Sequence, residues 1–177
     1  MDVAAKPRET RAKDIKDGAI FLAEQYPRAG YRLHTQVADH GSSSGEVRKA
    51  WVNLEPSERF DEASVYFDPE PDRIALDLTG VVEFSANLQS GAVIDCYGIA
   101  QTPGYVYPVD GMLLMAARMG DRPPRRTCLF DLESGKIFRH RQPEMAIRKW
   151  EVRLKHLEGP NGLLYEFDGT DRNPGVR

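Results

Sequence analysis

Short segments that alternate apolar and polar residues recur along most of this chain, and Gly, Pro, Ser or Asp separate them. A period of two places every second side chain on one face of a β-strand. The predicted strands are residues 31–37, 47–54, 64–68, 73–78, 81–88, 92–100, 112–119, 126–131, 136–140 and 163–167. Short strands at this spacing are typical of an antiparallel β-sandwich or β-barrel built of hairpins, so we expect a mainly β fold.

Three pairs of neighbouring strands are predicted to form hairpins, because only a few turn-forming residues separate them. The connections are Pro-Glu-Pro-Asp at 69–72, Gln-Ser-Gly at 89–91 and Leu-Glu-Ser-Gly at 132–135. Each contains residues that tolerate the backbone angles of a tight turn. The turns therefore predict that strands adjacent in sequence are also adjacent in the sheet.

One amphipathic helix is predicted near the N terminus, packed against or capping the sheet. The apolar residues that would share one helix face are Ile15, Ala19, Leu22 and Tyr26. Asp14 is the expected N-cap, and Pro27 ends the helix. Gly18 lies inside it and costs about 1 kcal/mol relative to Ala, so the helix needs tertiary support.

Residues 148–156 fit two periods. Alternate residues are apolar, as in a strand, and apolar residues also recur at three- and four-residue spacing from Ile147 to Leu157, as in a helix. We favour a strand, because the Pro-Asn-Gly that follows then turns the chain into the last predicted strand.

The length of 177 residues suits one domain. We predict a flexible lead-in at 1–13, a β-rich domain with its N-terminal helix at 14–168 and a loose tail at 169–177. The first residues lack the apolar stretch of a secretory signal, and no apolar run is long enough to span a membrane. Two cysteines without metal or redox spacing suit a reducing compartment, so we expect a cytoplasmic protein.

Charge is sorted along the chain. Residues 55–95 hold ten carboxylates and two arginines, a net charge of −8, whereas residues 118–155 hold eleven basic and five acidic residues, a net charge of +6. If these stretches occupy different surfaces, the fold carries an electrostatic dipole that attracts charged partners. If neighbouring strands bring the stretches together, they neutralise each other.

Arginines in the basic stretch are the candidate ligand-binding residues. They are Arg118, Arg122, Arg125, Arg126, Arg139 and Arg141. A guanidinium group keeps its charge and donates paired hydrogen bonds to phosphate or carboxylate. Pro123 and Pro124 stiffen the segment that carries Arg122 and Arg125, which lowers the entropy lost on binding.

Aromatic residues lie between these basic residues, namely Phe130, Phe138 and Trp150. Aromatic faces stack on nucleotide bases when they are exposed. We favour a core position for all three, with the arginines on the opposite face of the strands.

Arg118 and Arg122, and again Arg122 and Arg126, form R-x-x-x-R, and Asp-Leu-Glu-Ser-Gly follows at 131–135. This pattern resembles that of the PilZ family, β-barrels that bind cyclic di-GMP through R-x-x-x-R and a later [D/N]-x-S-x-x-G motif. Here the second motif has a different internal spacing and follows after a shorter gap. We therefore do not assign the chain to that family.

Patterns that suggest catalysis lack their structural context. Residues 41–45 match G-x-S-x-G, but that motif needs a strand-to-helix turn, and a strand is predicted next. A metal site across strands would draw on His34, Asp39 and His40, although none has metalloprotease spacing. Cys96 has no recognisable activating base and is expected to be a buried thiol. We predict no catalytic residue, metal or cofactor.

Three functions fit the sequence. The favoured one is a non-enzymatic binding module whose basic face, residues 118–155, engages an anionic protein or a nucleotide-containing ligand. The second is a small β-barrel of calycin type that holds an apolar small molecule among residues 97–107 and 112–115, with or without enzymatic chemistry. The third is an accessory subunit of an assembly, and the sequence leaves homo-oligomerisation open. No membrane partner is expected.

Overall fold

A computed structural model describes residues 6–24, 30–41, 45–55, 63–67, 69–89, 91–97, 100–119, 126–139 and 141–171. The strands in these ranges are β1 (Arg8–Arg11), β2 (Ile20–Glu24), β3 (Tyr31–Asp39), β4 (Arg48–Asn53), β5 (Ser64–Phe67), β6 (Ile74–Asp77), β7 (Val82–Ala86), β8 (Val93–Asp95), β9 (Val106–Val109), β10 (Met112–Met119), β11 (Arg126–Asp131), β12 (Ile137–Phe138), β13 (Met145–Ile147), β14 (Lys149–Leu154) and β15 (Leu163–Asp168). The mainly β fold is confirmed.

The strands form one sheet of twelve and one of three. The large sheet runs β1-β6-β2-β3-β4-β5-β10-β9-β13-β8, with β11 beside β10 and β12 beside β11. The small sheet runs β15-β14-β7. The named strands pair antiparallel except for β5 and β10, which are parallel. Neither sheet is closed, although an isolated bridge between Ala38 and Lys136 places the segment before β12 beside β3.

Both sheets contribute to one hydrophobic core. The large sheet supplies fully buried side chains from β3, β4, β10 and β11, and the small sheet supplies Trp150, Val152 and Phe167. Trp150 stacks on Phe167 with ring centroids 5.3 Å apart, and its Nε1–H donates to the Gly104 carbonyl at 2.7 Å. Large aromatic side chains with satisfied polar atoms bury much apolar area, so this packing holds the two sheets together.

A second, smaller core lies on the other face of the large sheet. Phe21 on β2 and Trp51 on β4 meet edge to face at 4.8 Å, and Ile15 and Ala12 pack with them from the N-terminal segment. Residues Ala12–Asp14 form a single 3-10 turn there. Both faces of the central strands are therefore covered, which explains why β3 and β4 are buried along most of their length.

The predicted N-terminal helix is wrong. None of the described residues forms an α-helix, and β2 occupies the second half of the predicted span. Gly18 has a positive φ of 79°, which ends helical geometry, and a Cβ at this position would collide with the Glu133 carbonyl. Ile15 and Ala19 are buried as expected, but Tyr26 and Pro27 lie outside the described residues.

Two of the three predicted hairpins are also wrong. β5 pairs with β4 and β10, whereas β6 pairs with β1 and β2. β7 and β8 belong to different sheets. Turn residues show where a chain reverses, but they do not show which strand becomes the neighbour in the sheet. Here β6 pairs with β1, a strand that lies within the predicted lead-in. The β11–β12 hairpin is confirmed.

The strand predicted at 148–156 is confirmed as β14, which pairs with β15 as a hairpin and with β7 on its other side. Trp150 and Val152 face the core, while the alternate residues, on the other face of β14, are half-buried. No helix in the described part of the chain is long and apolar enough to cross a membrane.

Candidate anion-binding site

The six predicted arginines do not converge on one place. Arg122 and Arg125 lie outside the described residues. Met119 pairs with Arg126, so residues 120–125 connect β10 to β11 at one end of the large sheet. Arg118 and Arg126 lie on the strands beside this connection.

Arg139 is held at the same end of the sheet by an ion pair with a buried carboxylate. Asp39 ends β3 with a side chain only 4% exposed, and the Arg139 guanidinium donates to its Oδ2. The Gly41 amide donates to Asp39 Oδ1 at 2.9 Å. Because both carboxylate oxygens have donors, Asp39 fixes Arg139 while the guanidinium stays about 43% exposed.

Arg48 adds another guanidinium beside Asp39, because the two residues are register partners on β3 and β4. Its guanidinium carbon lies 4.6 Å from the centre of the Phe67 ring, a distance that suits a cation–π contact. Arg48 lies far from the basic stretch in sequence, and no sequence signal pointed to it. Only the pairing of β3 with β4 brings it here.

The position of Cys128 indicates that Arg126 lies near this group. It lies two residues from Arg126 on the same face of β11, and it lies close enough to Asp39 and Arg139 for both charges to affect it. Burial, and then the Asp39 charge, raise the pKa of the Cys128 thiol to about 12, with Arg139 acting in the opposite direction. We refer to Asp39, Arg48, Arg126 and Arg139 as the arginine end.

Arg141 lies elsewhere. Its guanidinium is 3.1 Å from Asp110, which lies at the opposite end of β10 from the 120–125 connection. The guanidinium and the Lys136 ammonium both lie over the Phe138 ring, at 5.6 and 5.5 Å from its centre. Arg141 therefore belongs to a separate cation–aromatic cluster.

The aromatic residues of the basic stretch are mostly core, as we favoured. Phe130 and Trp150 are fully buried, and Phe138 is half-buried. Leu114 and Met115, which the apolar-ligand hypothesis used, are fully buried in the packed core as well. Neither Phe130 nor Trp150 presents a ring face for stacking on a base.

Some charges of both stretches pair with other parts of the chain. Among the described residues, cations of 118–155 form ion pairs with Asp39, Asp110 and Asp168 outside the stretch and with Glu151 inside it. Acids of 55–95 form ion pairs with Arg11, Lys13 and Arg32. None of these ion pairs joins the two stretches, although the strand pairs β5–β10, β7–β14 and β8–β13 bring strands of the two stretches side by side.

The other residues with catalytic potential are held in unreactive states. Cys96 is buried, and burial followed by the Asp95 charge raises its pKa. His34 is buried between Phe21 and Trp51, and its Nδ1 lies 2.8 Å from the Arg32 carbonyl. His34 and Asp39 are five residues apart on β3 and so face opposite sides of the sheet. The described residues contain no cluster of three His, Cys, Asp or Glu side chains that would hold a metal.

The residues at 41–45 do not have the surroundings of a catalytic serine. The next element is strand β4 rather than a helix, so the strand-to-helix turn that exposes such a serine is not formed. Residues 42–44 themselves lie outside the described residues.

Comparison of the chain with protein-family models, with curated proteins and with solved structures returned no match.

Proposed function

We propose that this protein is a non-enzymatic binding module whose basic face engages an anionic partner through the arginine end. The observation that carries the proposal is the position of Arg126. It is exposed, forms no ion pair with another described residue, and begins β11 directly after the connection that contains Arg122 and Arg125. An unpaired guanidinium at the surface is available for a carboxylate or phosphate on a partner.

The surroundings of Arg126 favour anion binding. Asp39 already fixes Arg139 in one orientation, so less side-chain entropy is lost when an anion binds to the outer side of that guanidinium. Asp39 pairs with Arg139, and Arg126 adds a positive charge at this end that no described carboxylate neutralises. Such a field raises the association rate of a negatively charged partner.

An acidic protein segment fits this end better than a nucleotide. Nucleotide recognition commonly adds aromatic stacking to phosphate contacts, and Phe130 and Trp150 are buried in the core. Carboxylates on a flexible acidic segment need only the guanidinium groups. We also propose a cytoplasmic location, which is consistent with two free, buried thiols at Cys96 and Cys128.

Fluorescence anisotropy with a fluorescein-labelled oligoglutamate peptide tests this function. Alanine substitution of Arg122, Arg125 and Arg126 together should weaken binding by at least about tenfold, since three charge-assisted contacts are removed. The matched control replaces three exposed cations outside the basic face, Lys6, Arg8 and Lys16, and should change binding much less.

A labelled single-stranded oligonucleotide serves as the second probe. We expect weaker binding than to oligoglutamate at equal salt concentration. Equal loss of binding in both triple variants would contradict a specific role for the arginine end, and tighter binding of the oligonucleotide would contradict the preference for an acidic protein.

A further inference from the structure

β8 forms an edge of the large sheet. It pairs with β13 and has no second neighbour among the described residues. The Arg148 amide donates to the Ala92 carbonyl at 2.7 Å, and the Cys96 amide donates to the Glu144 carbonyl at 2.9 Å. These two hydrogen bonds flank the strand and define which of its backbone groups point toward β13.

The backbone groups of alternate residues point to opposite sides of an antiparallel strand. Since Ala92 and Cys96 bond toward β13, Val93 and Asp95 direct their N–H and C=O groups away from it. Natural edge strands are commonly protected by lysine, proline or a covering loop. The sequence Val-Ile-Asp of β8 contains neither lysine nor proline, and its protection against pairing is limited to its short length and the charge of Asp95.

A shallow groove of about 490 Å³ lies against this edge. It is lined by Val93, Ile94, Asp95, Tyr97, Glu144 and Met145. Tyr97 is 78% exposed and Met145 is 48% exposed, which is unusual for large apolar side chains beside a sheet. The groove therefore offers apolar contacts next to unpaired backbone donors and acceptors.

The charge of the groove selects its occupant. Asp95 and Glu144 are its two carboxyl groups, and none of the described residues that line it is basic. Neither carboxylate forms an ion pair with another described residue, and Asp95 Oδ1 accepts a hydrogen bond from the Tyr97 amide at 2.9 Å. A segment with lysine or arginine side chains complements this surface.

We propose that β8 is a docking edge for an extended segment of a partner protein in which apolar and basic residues alternate. The segment adds to the sheet as a further strand, so that its backbone pairs with Val93 and Asp95. Asp95 and Met145 are register partners and share one face of the sheet, so the basic side chains of the segment lie on that face. Their aliphatic stems contact Tyr97 and Met145, and their charges approach Asp95 and Glu144. This surface is acidic and separate from the arginine end, so the two proposals stand or fall independently.

The test uses a fluorescein-labelled peptide of alternating lysine and valine and measures its binding to the full chain by fluorescence anisotropy. The double variant Asp95→Asn, Glu144→Gln removes both charges and keeps an acceptor for the Tyr97 amide. We expect it to bind at least about tenfold more weakly. The matched control, Glu158→Gln with Glu166→Gln, changes two exposed carboxylates elsewhere and should bind like the wild type.

Two further peptides separate strand addition from simple charge attraction. A lysine–valine peptide with alternate backbone amides N-methylated keeps its charge but loses hydrogen bonds on one edge, and we expect it to lose binding. Equal binding of the methylated peptide, or equal loss in both double variants, would overturn the proposal. Sedimentation equilibrium measures whether the chain forms a dimer. If the wild type is a dimer and the Asp95→Asn, Glu144→Gln variant is a monomer, a second copy of this chain occupies the groove, and the proposal of a different partner is overturned.

Discussion

Single residues of the same type have very different roles in this chain, and burial of the partner decides which role each has. Arg139 and Arg141 are both about 40% exposed and both pair with an aspartate. Asp39 is almost fully buried, whereas Asp110 is 68% exposed. Removing a cation from a buried carboxylate leaves an unsatisfied charge, but an exposed carboxylate returns to water.

Arg139→Ala should lower the free energy of unfolding by about 2 kcal/mol, because the buried Asp39 would lose the guanidinium that donates to its Oδ2. Arg141→Ala is the matched control and should stay within about 0.5 kcal/mol of the wild type. Urea unfolding of both variants measures the difference. Equal stability of the two would show that Asp39 does not depend on Arg139.

His34 makes stability depend on pH. Burial lowers its pKa from 6.5 to about 4; the hydrogen bond to Arg32 opposes this shift, and the Arg73 charge adds to it. Between these two pH values the unfolded chain binds more protons than the folded one, so stability rises with pH and falls on acidification. The full loss between pH 6.5 and 4 is about 3 kcal/mol.

His34→Phe removes this titration and keeps a ring between Phe21 and Trp51, so its unfolding free energy should fall much less over the same pH range. Urea unfolding at several pH values above 4 is the measurement. Asp168 titrates at lower pH, because a hydrogen bond from Lys149 holds its pKa well below 3.8. Identical pH slopes in the wild type and the variant would refute the assignment to His34.

At the scale of elements, the sequence predicted strands much better than their partners. The bounds of β10 and β11 were predicted to the residue, because turn-forming residues flank them. The position of β6 between β1 and β2 could not be predicted, because the strands that meet there are distant in sequence. The N-terminal helix failed because a few apolar residues at helical spacing also fit a strand, and Gly18 decides between them.

Gly18→Ala should destabilise the fold by at least about 2 kcal/mol, because the added methyl group meets the Glu133 carbonyl and the residue keeps a positive φ. Gly111→Ala is a close control, since Gly111 has the same φ of 79° with no atom within 4 Å of its Cβ position. It should cost only about 1 kcal/mol. Equal thermal stability of the two variants would mean that the turn at Glu133 can move away from the added methyl group without lowering the stability of the fold.

At the scale of the whole molecule, the charge sorted along the sequence is intermixed, because strands of the acidic and basic stretches pair with each other. Three cations of the basic stretch pair with acids outside it, so the net charge of the stretch overstates what a partner meets. The sequence identified Arg126 and Arg139 but not Arg48, and it indicated Asp39 only as a metal ligand, because strand pairing alone brings these two residues to the arginine end. The acidic groove beside β8 combines residues of two strands about fifty positions apart and had no sequence signal.

The most direct test of the arginine end is the affinity for labelled oligoglutamate measured across a series of salt concentrations. Salt screens exposed charges, so the affinity of the wild type should fall as salt rises. Arg126→Ala should bind more weakly at low salt and lose affinity less steeply, whereas Lys16→Ala, a control at an exposed cation outside the basic face, should follow the wild type. Wild-type binding that ignores salt, or an Arg126→Ala curve that superimposes on the wild type, would contradict the proposed site.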